Sequence, residues 1–115
     1  MSEEHEYLNQ LEASIEGHRQ TRDIGKAIER LRNNVDFKRV VLSGYLEQEA
    51  IRLVQARTDP SMQTDRQQAD LIRQMDGIAC FRDYLRVQLM LADRADGAIE
   101  EAEELRTQLL QEDLA

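Results

Sequence analysis

Along the second half of the chain, apolar residues recur at steps of three and four or their sums. The stripe runs through Leu71, Met75, Ile78, Leu85, Leu89, Ala92 and Ile99, with Arg82 and Asp96 interrupting it. That spacing keeps one face of an α-helix apolar, whereas a strand would throw the same residues to both of its faces. Thr64-Asp65-Arg66-Gln67, just ahead of the stripe, has the Thr-x-x-Gln form of a capping box. One helix over about 64–111 is therefore predicted. At about 1.5 Å per residue it would be on the order of 70 Å long, so its stripe needs cover from elsewhere.

The first segment carries Leu8, Leu11, Ile15 and His18 at helical spacing, then Ile24, Ala27, Ile28 and Leu31. Gly17 and Gly25 weaken it, each by about 1 kcal/mol relative to alanine inside a helix. Residues 1–22 thus read as an amphipathic segment that is helical only when packed, and about 23–33 as a firmer helix. Asn33–Asp36 reads as a break, with the Asp36 carboxylate capping a helix over about 36–57. That helix is apolar nearly all round, which marks a buried centre. Ser43-Gly44 predicts a kink or short break within it. Thr58-Asp59-Pro60-Ser61 ends it, because the residue before proline is pushed out of the helical region.

The organisation expected is a 1–22 segment, a helical core over 23–111 and a tail at 112–115. The fold class is all-α, a helical hairpin or bundle with one long C-terminal helix, completed by oligomerisation. Phe37, Val41, Leu46, Ile51, Val54, Leu71, Met75 and Ile78 are the expected core. Leu8, Leu11, Ile15, Leu85, Leu89, Ala92, Ile99, Leu105 and Leu109 are expected to face a partner, and the stretch from about Leu89 onward most needs one. Whether Gly44, Gly77 and Gly97 break their helices stays open at this level.

Composition narrows the class further. With 115 residues there is room for one domain or for an extended helical assembly. Five glycines and one proline leave few places to turn, which argues against a β-rich fold. The lone Cys80 excludes an internal disulfide, fits a reducing compartment, and reads as a buried thiol between Ala79 and Phe81. MSEEHEYLNQ is no secretory leader and no apolar run approaches a membrane span, so a soluble intracellular protein without a membrane partner is expected. The net charge of −8 argues against direct nucleic-acid binding. It is unevenly spread: residues 87–115 hold eight acids against two bases, while residues 17–39 hold seven bases against three acids.

The search for chemistry returns mostly negatives. The chain lacks a phosphate-binding glycine loop, a nucleophile elbow, Cys-x-x-Cys and His-Glu-x-x-His. His18 continues the Leu8/Leu11/Ile15 stripe and reads as an interface residue. The acids from Asp93 to Glu104 lack the ligand spacing of a calcium loop and read as a solvated face. Asp76 and Asp83 flank Cys80 with no general base or oxyanion donor beside them. No enzyme and no cofactor are expected. Arg82 and Asp96 either fix the register of helix packing or lie where the stripe drifts round the helix.

Two stretches, Ala27 to Val54 and Gln68 to Leu85, resemble a set of small, largely uncharacterised helical proteins encoded by tailed bacteriophages near their virion structural genes. Those relatives tend to carry proline before the Asp-Phe pair, where Val35 stands here. The resemblance implies a virion or assembly protein, located in the host cytoplasm during infection or in the particle. It would act as a homo-oligomer or on a larger virion protein. The rival reading is an acidic inhibitor of a host nucleic-acid enzyme, its Asp93–Glu104 face imitating nucleic-acid charge.

Overall fold

In the computed structural model, which describes residues 2–114, every regular element is helical. Helix α1 runs Ser2–Arg32, a short α2 Val35–Phe37, a π-helical stretch Lys38–Glu49, α3 Ala50–Ala56, a 3-10 turn Pro60–Met62 and α4 Asp65–Leu114. The chain is all-α, with a long C-terminal helix as the stripe predicts. Met1 and Ala115, which belong to the expected 1–22 segment and 112–115 tail, lie outside the described residues.

The capping box forms. Thr64 N–H donates to Gln67 Oε1 at 3.2 Å and Gln67 N–H donates to Thr64 Oγ1 at 3.1 Å, so two amides with no partner inside the helix satisfy each other's residues. Elsewhere the ends differ from expectation. Asn34, rather than Asp36, caps α2, its Oδ1 accepting from Phe37 N–H at 2.9 Å. α1 shows no boundary near residue 22, and α4 continues through the expected tail to Leu114. Gly77 and Gly97 lie inside α4 without interrupting it.

Ser43-Gly44 does not break the helix. The helix widens instead into π geometry through this stretch. A Cβ at Gly44 would stand 3.0 Å from the Arg39 carbonyl oxygen, so glycine removes the contact that the wide turn would otherwise force. The turn after α3 is held by side chains. Gln63 Nε2 donates to Arg57 O at 2.9 Å and Asp59 O at 2.7 Å, and Gln68 Nε2 donates to Arg57 O at 3.1 Å and Met62 O at 2.7 Å. These amides satisfy carbonyls that the helix end leaves open.

Asp59 caps the 3-10 turn, accepting from Ser61 N–H at 2.9 Å and Ser61 Oγ at 2.8 Å. Those donors, the backbone one first, hold its carboxyl below the usual aspartate range. A depressed folded value means that the cap contributes at neutral pH and is lost as pH falls through it. In an NMR titration the Ser61 amide is expected to move upfield as Asp59 protonates, with a midpoint below that of an unstructured aspartate. A midpoint at or above the ordinary value would refute the cap.

Contacts divide the chain into two units, Met1–Ala27 with Gln88–Ala115, and Ile28–Val87. In the first, α1 lies antiparallel to the second half of α4: Gly25 meets Ala92, Arg22 faces Asp96, and Arg19 reaches Glu103. Ile15, Ile99 and Ala102 form its buried cluster, with Leu11 packed against them. In the second, the π-helical stretch and α3 pair with the first half of α4 around Leu46, Leu53, Leu71 and Ile78.

Candidate functional site

The second unit carries an open trough of about 340 Å³ between the π/α3 segment and α4. Leu46, Ala50 and Val54, one helical turn apart, form one wall. Met75, Ile78 and Ala79 form the other, and Arg82, Asp83 and Arg86 close one end. Ala50 and Ala79 make the trough, since larger side chains at both positions would fill it. Its size and mostly apolar lining with a few charged groups are those of surfaces that take up another molecule.

Arg82 ties the two walls together. Its Nη2 donates to the Leu46 carbonyl at 2.9 Å, across 36 positions of sequence. Leu46 lies where the π-helical stretch gives way to α3, and the Ala50 amide donates to Glu47 O there. Arg82 is thus an exposed residue at the border of the seam that ties the two helices by one side-chain hydrogen bond. Arg86 donates to Asp83 Oδ1 through Nε at 3.1 Å and Nη2 at 2.7 Å, so that end of the trough carries both signs. On the same hairpin Arg52 binds Glu49, which holds the Glu49 carboxyl below and the Arg52 guanidinium above their ordinary values, chiefly by that hydrogen bond. Arg52 is exposed and Glu49 half-buried at the surface of the hairpin, so the pair adds little to stability.

The opposite side of the hairpin is shaped by Tyr45. Its ring meets Phe81 edge to face, centroids 6.1 Å apart at 78°, and a Cβ at Gly77 would sit 3.8 Å from its hydroxyl, an ordinary contact.

Several residues lie elsewhere than expected. Ile51 and Val54, read as core, are 58% and 55% exposed, because the hairpin gives their helix one neighbour where an all-round apolar pattern anticipates several. Leu46, Leu71 and Ile78 are buried, Met75 packs against them, and Phe37 and Val41 are half-buried. Among the residues expected to face a partner, Ile15, Ala92 and Ile99 are buried inside the chain, and Leu11 and Leu85 pack on its internal clusters. This corrects their reading as partner-facing: α1 folds back and covers the stripe beyond Leu89. Leu8 and Leu109 line a small cleft together, Leu89 is half-buried and Leu105 is 43% exposed.

Cys80 is exposed rather than buried. Two residues from buried Ile78, it points to roughly the opposite side of α4, about 200° round the helix. Asp96 lies on the surface with its carboxylate 3.9 Å from Arg22 Nε, so it borders the seam. Arg22 Nε is shielded and finds no hydrogen-bond acceptor among the described residues; Asp23 at 3.7 Å and Asp96 balance its charge from just beyond bonding distance. His18 is half-buried beside the α1 seam.

Among the described residues no group of three or more His, Cys, Asp or Glu is arranged to hold a metal ion, and no helix is long and apolar enough to cross a membrane. Sequence reasoning singled out Arg82 but missed Ala50, Ala79 and Arg86. The signal was present in small residues recurring at helical spacing beside large ones.

Fold and trough together define an all-α, helical-hairpin chain with an uncovered apolar groove. No protein-family model, curated protein or solved structure matches it.

Proposed function

We propose that the protein is a non-enzymatic structural or assembly protein that acts by packing its helices against a second copy or a larger virion protein, in the setting of a tailed phage. One observation carries the packing part: the second unit leaves Val40, Ile51, Val54, Ile72 and Tyr84 exposed around a buried cluster of four side chains. Apolar surface of that extent beside so small a core is characteristic of faces that another protein covers. The phage setting rests on the resemblance of the Ala27–Val54 and Gln68–Leu85 stretches.

Mass spectrometry of purified phage particles, and of complexes captured from infected cells on the tagged chain, tests it. The chain is expected in the particles or bound to a particle protein. Its absence from both would refute the reading.

Charge favours keeping a second reading, the acidic inhibitor of a host nucleic-acid enzyme. The first unit holds fourteen acids against five bases, net −9, and the second ten bases against nine acids, net +1. Neutralising Glu100, Glu101, Glu103 and Glu104 would abolish salt-sensitive capture of a polymerase or nuclease under that reading, and would leave virion association intact under the first.

A further inference from the structure

We infer that the trough between α3 and α4 is a self-association surface, in which the hairpin of a second copy packs face to face on the first to give a four-helix arrangement. This rests on the helix-packing reading above and specifies its partner and its surface.

Three observations select a second copy as the occupant. First, the trough does not stand alone. Ile72 lies three and seven positions from Met75 and Ala79 on α4, and Ile51 three positions from Val54 on α3, so their exposed side chains extend the apolar surface past both walls. The result is a broad two-helix face, which another two-helix face fits better than a small molecule does.

Second, each wall of the trough carries one small residue, Ala50 on one side and Ala79 on the other. Small residues at the middle of a helical face let a facing helix approach closely and pack its larger side chains to either side.

Third, charge permits self-pairing here and resists it elsewhere. At the end of the face Arg86 pairs with Asp83, so both signs are present there, and the unit as a whole is +1. Two such faces related by a two-fold axis bring neither sign onto itself in excess, whereas two copies of the −9 unit repel each other. A strongly acidic or basic partner gains almost no attraction from a face of this balance. An isologous contact also closes after two copies, with no surface left over to propagate.

The contact uses the side of α4 that carries Ile72, Met75, Ala79 and Arg86. Cys80, exposed and about 100° round the helix from Ala79, does not line the trough and stays free in the pair.

The test is the oligomeric state of the full chain, measured by sedimentation equilibrium, with two variants at the centre of the face. Ala79 is solvent-exposed and lies within a continuous helix, so Ala79→Glu and Ala79→Arg leave the fold intact, which circular dichroism checks. Wild type is expected to be a dimer. Each variant places two like charges in one buried contact and is expected to raise the dimer dissociation constant on the order of 100-fold or more. Mixing the two variants in equal amounts is expected to restore a 1:1 heterodimer, and Cys80 is expected to react with maleimide equally fast in dimer and monomer.

A wild type that dimerises while both variants dimerise as tightly overturns this surface and leaves the helix-packing reading standing. So does a dimer in which Cys80 is protected. A wild type that is monomeric and takes up an apolar anionic dye, anilinonaphthalene sulfonate, in a manner lost in Ala79→Glu would assign the trough to a small amphiphile and overturn the inference. Absence from particles and particle proteins, together with an intact dimer, would overturn the phage reading alone.

Discussion

A single methyl group added at Gly25 is expected to destabilise the protein by about 1–3 kcal/mol, even though it improves the local helix. The Cβ of Gly25→Ala would lie 2.2 Å from Ala92 Cβ, far inside the roughly 3.5–4.0 Å at which carbon atoms rest against each other. The methyl on the other side belongs to a rigid helix, so no flexible side-chain end can swing aside. α1 and α4 must move apart, and the Ile15/Ile99/Ala102 cluster loosens with them. Gly17 and Gly97 provide the contrast. Nothing lies within 4 Å of a Cβ at either position, so Gly17→Ala and Gly97→Ala are each expected to stabilise by about 0.5–1 kcal/mol.

Moving the methyl from one helix to the other completes the test. In Gly25→Ala/Ala92→Gly the nearest remaining atom would be the residue 92 Cα at 3.8 Å, an ordinary contact. The double variant is expected to return close to wild-type stability, with a coupling energy that single substitutions cannot produce. Urea denaturation of the four variants at one protein concentration reads the whole cycle. Additive effects, or a stabilised Gly25→Ala, would show that α1 does not approach α4 as described.

Leu53→Ala is expected to cost about 2–5 kcal/mol, while Val54→Ala next to it costs under about 1 kcal/mol in the monomer. Leu53 is completely buried in the hairpin cluster and Val54 is 55% exposed on the trough wall. Removing the Leu53 methyl groups leaves a cavity that two helices cannot close without breaking the Leu46/Leu71/Ile78 packing around it. Removing those of Val54 mainly exposes less apolar surface to water. The two variants therefore separate folding from association: Leu53→Ala shifts the unfolding midpoint, and Val54→Ala weakens the dimer. Equal losses of monomer stability at both positions would mean that Val54 is covered within the chain.

Between the units, charge divides more sharply than the sequence suggests when read end to end. Acidic termini around a basic segment become one unit at −9 and another at +1 only because the chain folds residues 88–115 back beside residues 1–27. Interactions that depend on the acidic surface are expected to weaken with salt over the ordinary Debye range, and those of the nearly neutral hairpin to persist.

Short-range information settled much of this protein in advance. Period and capping residues determined that the chain is helical, that α4 begins after Thr64, and that Pro60 marks the end of the helix before it. These depend on residues within a few positions of each other, where hydrogen bonds and sterics act locally. Side-chain partnership was not local. The all-round apolar pattern from Phe37 to Val54 could not distinguish Leu53 from Val54, because the number of neighbouring helices decides which side is covered. The stripe beyond Leu89 promised a partner, and only the fold shows α1 filling that place, through pairings such as Arg19 with Glu103, 84 residues apart. Gly25 read as a weak point of its helix and proved to be the space that lets two helices meet. Gly44 read as a break and proved to accommodate a wider turn. In each case the sequence specified what a residue could tolerate, and the tertiary structure chose which neighbour it met.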